Sequence, residues 1–143
     1  QHFKKLHMTR QEVKEERNQH ELAPEIRGRI RAVQFEMVRR RMFSEVPKAD
    51  VVVTNPTHFA VALKYDNNIM DAPTVVAKGV DSMALRIRQV ARDNDVMLVE
   101  NRPLAQELYR RLEVGDVIPE DLFYAVTLIY AELYRKRGVR RAM

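Results

Sequence analysis

Two short apolar runs stand on either side of the tetrapeptide Asn55-Pro56-Thr57-His58, and this arrangement constrains the chain more than any other feature. Val51-Val52-Val53, inside Ala49 to Thr54, is β-branched throughout and strongly prefers a strand. Beyond the tetrapeptide, Phe59, Val61, Leu63 and Tyr65 alternate with Ala60, Ala62 and Lys64, the period of a second strand. Asn-Pro at the junction is turn chemistry, and Asp66-Asn67-Asn68 closes the second run. The unit reads as strand, turn, strand. The rest of the architecture has to be built around it.

Downstream, Thr74 to Lys78 predicts a third strand ending at Gly79. Asp81 can cap a helix whose apolar face is Met83, Ala84, Ile87, Val90 and Ala91. Val96 to Val99 predicts a fourth strand after the turn Asp93-Asn94-Asp95. Pro103 opens a helix running to about Leu112, and Gly115 ends that region. Pro119, Glu120 and Asp121 start the last helix, with Leu122, Val126, Ile129 and Leu133 as its stripe and Arg135, Lys136 and Arg137 near its end. Gly138 is expected to stop it. The order β-β-β-α-β-α-α implies an α/β fold, a small mixed β-sheet flanked by about four helices.

Ahead of the sheet, residues 1–46 have helical composition, with two expected stretches at roughly 8–20 and 24–43, because Pro24 and Gly28 interrupt a single rod. Pro47 marks a boundary. The expected organisation is a helical linker over 1–47, a globular domain over 48–138 and a basic tail over 139–143. The chain opens at Gln1 and enters a charged segment at once, so it reads as part of a longer protein.

The chain is 143 residues long, 45% apolar and 31% charged, enough for one folded core and too apolar for a disordered polymer. The absence of cysteine excludes disulfide scaffolds, thiol catalysis and Cys-rich zinc modules. No apolar run is long enough to span a bilayer, and no signal peptide is visible. The net charge of +5 is unevenly spread. Residues 1–47 carry eleven Lys/Arg against seven Asp/Glu, residues 48–134 nine against thirteen, and the last nine residues five basic groups and no acid. A nucleic-acid binder with a uniformly basic surface would not look like this.

Turnover chemistry finds little support. His2, His7, His20 and His58 have no second ligand at metal spacing, so no metal site and no cofactor are expected. No Gly-rich loop precedes a helix, and no G-x-S-x-G occurs. Arg39-Arg40-Arg41 could bind phosphates or an anionic membrane surface, the basis of a competing reading as a nucleic-acid or membrane-surface adaptor. With no aromatic residues interleaved, a solvated helix face is the better account. Tyr124, Tyr130 and Tyr134 read as the rim of a core-packing helix.

Asn55-Pro56 itself has two readings. In one it is only a turn. In the other it is a reactive bond. Asparagine ordinarily degrades when the next backbone nitrogen attacks the side-chain carbonyl, and Pro56 has no N–H to do so. The remaining cyclisation sends the Asn55 side-chain nitrogen onto its own main-chain carbonyl, closing a succinimide and expelling Pro56 as a new N-terminus. The amide is a poor nucleophile, so the fold must hold it in place, and such preorganisation is worth several kcal/mol. A taut turn between anchored strands could supply it, with Pro56 restricting Asn55. The imidazole of His58 could move the proton, and Thr57 could steer either group.

The run from Val51 through Asn55-Pro56-Thr57-His58 to Tyr65 closely resembles the cytoplasmic domain of the FlhB/SctU family of type III secretion export-gate proteins. The likeness continues in Thr9 to Glu16, Gly28-Arg29-Ile30-Arg31 and Arg40-Arg41-Met42, and downstream in Ala77-Lys78-Gly79, Ala84 to Arg88, Arg102 to Ala105 and Val117-Ile118-Pro119. The resemblance implies a location at the cytoplasmic face of the bacterial inner membrane, with residues 1–47 leading from a transmembrane part that this chain lacks. It implies one self-cleavage between Asn55 and Pro56, with Thr57 and His58 assisting. It further implies binding of exported flagellar subunits, contact with other export-gate components, and a switch from rod and hook to filament subunits made together with a ruler protein (FliK in flagella). No nucleic-acid partner is expected. Ala72-Pro73 lies where the family is thought to receive a short apolar signal from exported subunits. The facing final helix carries Thr127 and Tyr130 where relatives have small or aliphatic residues. Thr54 and Lys64-Tyr65 look flagellar, and an injectisome homologue with the same chemistry is the alternative.

Overall fold

The three consecutive valines place β1 (Val51–Asn55) at the inside of the molecule, each fully buried. The computed structural model describes residues 23–56, 58–66, 68–69 and 71–142, with the backbone alone for 138–142. β1 pairs antiparallel with β2 (Phe59–Lys64), setting Val51 opposite Leu63 and Asn55 opposite Phe59. On its other side it pairs parallel with β4 (Met97–Glu100), and β2 pairs antiparallel with β3 (Thr74–Val80). The sheet is mixed, as the sequence predicts, and its strands lie in the order β3-β2-β1-β4.

Because strand side chains alternate, the two apolar runs sort themselves onto two faces. Val51, Val53, Val61, Leu63 and Val75 point to one side. There they meet Leu104, Ala105 and Leu108 of a helix spanning Arg102–Arg111, and Val126, Ile129 and Leu133 of the last helix, Phe123–Ala142. Val52, Ala60, Ala62 and Ala77 point to the other side, against Ala84, Ile87 and Ala91 of the helix Ser82–Asp93. In chain order α1 is Pro24–Glu45, α2 Ser82–Asp93, α3 Arg102–Arg111 and α4 Phe123–Ala142. Each large side chain buried this way contributes about 1.5–3 kcal/mol of transfer free energy.

The alanine-rich face lets α2 come close. A Cβ built on Gly79 would sit 2.8 Å from the Cβ of Met83, so only glycine fits at that point of β3. β3 runs through Gly79 to Val80, which pairs with Phe59, where the sequence suggests an end at Gly79. Asn101 caps α3, its side-chain oxygen accepting from the Leu104 N–H at 3.2 Å, with Pro103 in the first turn. Arg111 at the end of α3 grips Asp121 with two hydrogen bonds of 2.7 and 2.9 Å, just ahead of α4. The hydrogen bonds from Arg111 hold the Asp121 carboxyl below its usual value. α4 runs through Gly138 to Ala142, so Gly138 does not stop it. The residues that follow, Val139-Arg140-Arg141-Ala142, carry no helix breaker, and one glycine costs a helix only about 1 kcal/mol.

The chain divides into two units, Gln1–Arg39 and Arg40–Met143. In the first, α1 begins at Pro24, and Ile26, Val33, Phe35, Met37 and Val38 are exposed without forming a stripe. In the second, Met42 and Val46 are buried in the same cluster as α2, although both fall within the span 1–47 read as linker. Arg40 and Arg41 are exposed. The expected helix at 8–20 lies outside the described residues.

Candidate functional site

The Asn55 loop sits at the C-terminal end of the central strand. Thr54, immediately before it, is buried, its hydroxyl donating to the Val99 carbonyl at 3.4 Å. Its own carbonyl accepts from the Asn101 N–H at 2.9 Å. On the far side of the loop, Phe59 stacks on Tyr109 with ring centroids 4.8 Å apart. Lys78 lies over the same Tyr109 ring at 4.7 Å and reaches Glu113 at 3.5 Å. Both strand ends leading into the loop are therefore tied to α3 or β4. The sequence reading of a turn anchored on two strands holds in the structure.

Within the loop, Asn55 and Pro56 are half-buried and His58 is exposed. The His58 N–H donates to the Asn55 carbonyl oxygen at 3.0 Å, closing a turn over residues 55–58. That carbonyl is the group the cyclisation reading needs as its electrophile, and a hydrogen bond on its oxygen polarises it. Thr57 lies outside the described residues. The His58 ring does not stand alone: its Nδ1 is 3.9 Å from an Asp81 carboxylate oxygen, and the Asp81 N–H donates to the His58 carbonyl at 2.9 Å. Asp81 occupies the N-cap position of α2, yet its side chain makes no capping hydrogen bond, contrary to the expectation that it caps the helix. Sequence reasoning missed its pairing with His58, because residues far apart in the chain give no local signal of contact.

A second feature lies at the opposite end of β1. Ala72 and Pro73 line an open groove of about 250 Å³ with Tyr65, Phe123, Thr127 and Tyr130, so the four residues singled out in the sequence meet at one groove. Tyr130 and Tyr134 both face it, and Tyr124 is exposed elsewhere on α4. One residue that holds two of the lining residues was not foreseen. Asp50, just before β1, accepts a hydrogen bond from the Tyr130 hydroxyl at 2.9 Å and another from the Tyr65 N–H at 2.6 Å. Burial, reinforced by the neighbouring Asp50 carboxylate, pushes the Tyr130 phenol well above its ordinary value. Tyr130 is thus both a packing residue and a fixed wall of the groove.

Among the described residues no group of three or more His, Asp or Glu is placed to hold a metal ion, and no helix is long and apolar enough to cross a membrane.

With this geometry in view, comparison with known proteins is decisive. The model of the FlhB HrpN YscU SpaS family matches residues 1–133. The chain belongs to this family. It is 50% identical over 134 residues to the flagellar biosynthetic protein FlhB of Bacillus subtilis strain 168, a match covering 94% of the chain. The chain spans only 37% of that relative's length. The crystal structure of the cytoplasmic domain of FlhB from Shewanella putrefaciens superposes with a TM-score of 0.70 at 44% identity, covering 73% of this chain and 80% of that one. A mutated EscU C-terminal domain superposes with a TM-score of 0.62 at 33% identity, covering 64% of this chain and 98% of that one. The likeness is to flagellar type III export-gate proteins, and to the cytoplasmic part of them.

Proposed function

We propose that this chain is the cytoplasmic switch domain of a flagellar export gate and that it matures by cutting itself once between Asn55 and Pro56. The observation that carries the reading is the hydrogen bond from the His58 N–H to the Asn55 carbonyl, in a loop whose leaving residue is a proline. The Asn55 side-chain nitrogen attacks its own main-chain carbonyl carbon. A new C–N bond closes the five-membered imide as the bond from that carbon to the Pro56 nitrogen breaks. The attacking nitrogen gives up one proton and the Pro56 nitrogen takes one, so the two pieces together weigh what the intact chain weighed. As the carbonyl becomes tetrahedral its oxygen gathers negative charge, and the His58 N–H is already aimed at it. The His58 imidazole carries the proton between the two nitrogens, with Thr57 steering, and Pro56 blocks the competing deamidation route. Pairing of β1 with β2 keeps the pieces together after the cut. This is a single turnover, not enzyme catalysis in the usual sense.

In this reading residues 1–47 lead from the membrane part of the longer protein at the cytoplasmic face of the bacterial inner membrane. The groove at Ala72, Pro73, Thr127 and Tyr130 receives an apolar segment of exported flagellar subunits. Together with the ruler protein FliK and the other export-gate components, the domain switches export from rod and hook to filament subunits.

A denaturing intact-mass spectrum of the purified chain after incubation at neutral pH tests the cut. Two species matching residues 1–55 and 56–143 are expected. A single uncut mass would reduce Asn55-Pro56 to a turn.

A further inference from the structure

Asp81 has a backbone that its sequence position does not call for. At φ 51° and ψ −114° it lies in a region that glycine enters freely and a residue with a Cβ does not. Two inexpensive solutions were open to the chain: glycine would have relieved the strain, and a side chain turned toward the first turn of α2 would have capped it. Neither is used. The Asp81 N–H instead holds the His58 carbonyl at 2.9 Å, and its carboxylate sits 3.9 Å from His58 Nδ1. His58 is consequently fixed at both of its peptide groups, its N–H on Asn55 and its carbonyl on Asp81. Among the described residues Asp81 is the charged group found within 4.0 Å of the imidazole.

We infer that Asp81 is a positioning residue for the self-cleavage at Asn55-Pro56: its N–H anchors the His58 peptide so that the His58 N–H stays on the Asn55 carbonyl, and its carboxylate selects the ring form with the proton on Nδ1. A carboxylate beside Nδ1 favours the N–H there and leaves Nε2 with its lone pair, ready to accept the proton released by the Asn55 amide. An ion pair this exposed adds little to stability, since solvent screens it. Its effect is on orientation and tautomer. The inference rests on the self-cleavage proposed above.

Asp81→Asn separates the charge from the backbone, because asparagine tolerates positive φ best among residues with a side chain. Timed intact-mass spectra after cell-free synthesis should show the Asn55-Pro56 cut slowed about tenfold, a modest share of what proton transfer can supply. Asp81→Gly should be slowed to a similar degree while its melting temperature rises, since it relieves strain and loses the carboxylate. A purely structural role predicts the reverse, a better-folded domain cutting at least as fast. In an uncleavable Asn55→Ala background, imidazole ¹⁵N shifts should place the His58 proton on Nδ1, and Asp81→Asn should move it largely to Nε2. Cutting by Asp81→Asn within twofold of the wild-type rate, or an unmoved tautomer, overturns the role of Asp81 and leaves self-cleavage standing. A wild-type chain that never cuts overturns both.

Discussion

The two ends of β1 carry the same kinds of group and use them in opposite ways. At the N-terminal end the Asp50 carboxylate accepts two short hydrogen bonds, from Tyr65 and Tyr130, in a half-buried setting. At the C-terminal end the Asp81 carboxylate faces His58 across 3.9 Å, both side chains mostly in solvent, with the Asp81 backbone strained. The first arrangement is closed and locks α4 to the sheet. The second is open, held by backbone hydrogen bonds, with the Asn55 side chain half-buried and the His58 imidazole exposed. On the proposed self-cleavage, stability resides at one end of the strand and chemistry at the other.

If that division is right, substitutions at one end should be silent in the assay of the other. Asn55→Ala should abolish the cut outright by intact mass, with an unfolding midpoint close to wild type. Persistent cleavage in that variant would refute cyclisation. His58→Ala should slow the cut about 10²-fold, the lower range for a lost proton-transfer group, with some rate left because the residue-58 N–H still reaches Asn55. Asp50→Ala should cost about 2 kcal/mol in urea denaturation by leaving the Tyr130 hydroxyl and the Tyr65 N–H without their acceptor, and should cut at the wild-type rate. A slowed cut there would erase the distinction between the two ends.

Tyr130→Phe sharpens the same comparison with the smallest effect, about 1 kcal/mol at neutral pH. Its pH dependence is more telling. The native phenol is raised above the ordinary value of 10.0, so the neutral form is what the fold stabilises. That contribution is complete below pH 10 and falls away as the pH climbs above it, because the unfolded chain can ionise and the native chain resists. Stability measured from pH 9 to 11 should decline in the wild type and flatten in Tyr130→Phe, with the cut unaffected.

Most of the fold was legible in the sequence because it is written in local periods. The alternation of Phe59, Val61, Leu63 with Ala60 and Ala62 became two faces of one strand, and the stripe Leu122, Val126, Ile129, Leu133 became the packed side of the α4 region. The errors lie where local rules met a longer-range demand. Gly138 is a sound stop signal in isolation, but the helix-compatible tail beyond it carries α4 on. Asp81 is a sound cap by position, but its carboxylate faces His58, more than twenty residues earlier, and caps nothing. Asp50 gave no signal at all, since its partner Tyr130 lies 80 residues away. Of the site, the cyclisation proposed for Asn55 and Pro56 rests on bond connectivity alone. The hydrogen bond that polarises the carbonyl and the acid behind His58 could not be read that way, because both depend on how β1, β2 and α2 are brought together.

The most direct test of the account is the order in which masses appear for the 1–55 piece when freshly made wild-type chain is held at neutral pH. Cyclisation predicts that a species one water lighter than the Asn-terminated piece appears first, equal in amount to the 56–143 piece, and then converts to the heavier form. A 1–55 piece that carries its full water from the earliest time point, with no lighter precursor under quenching that preserves imides, would show that water cuts the bond and that Asn55 is not the nucleophile.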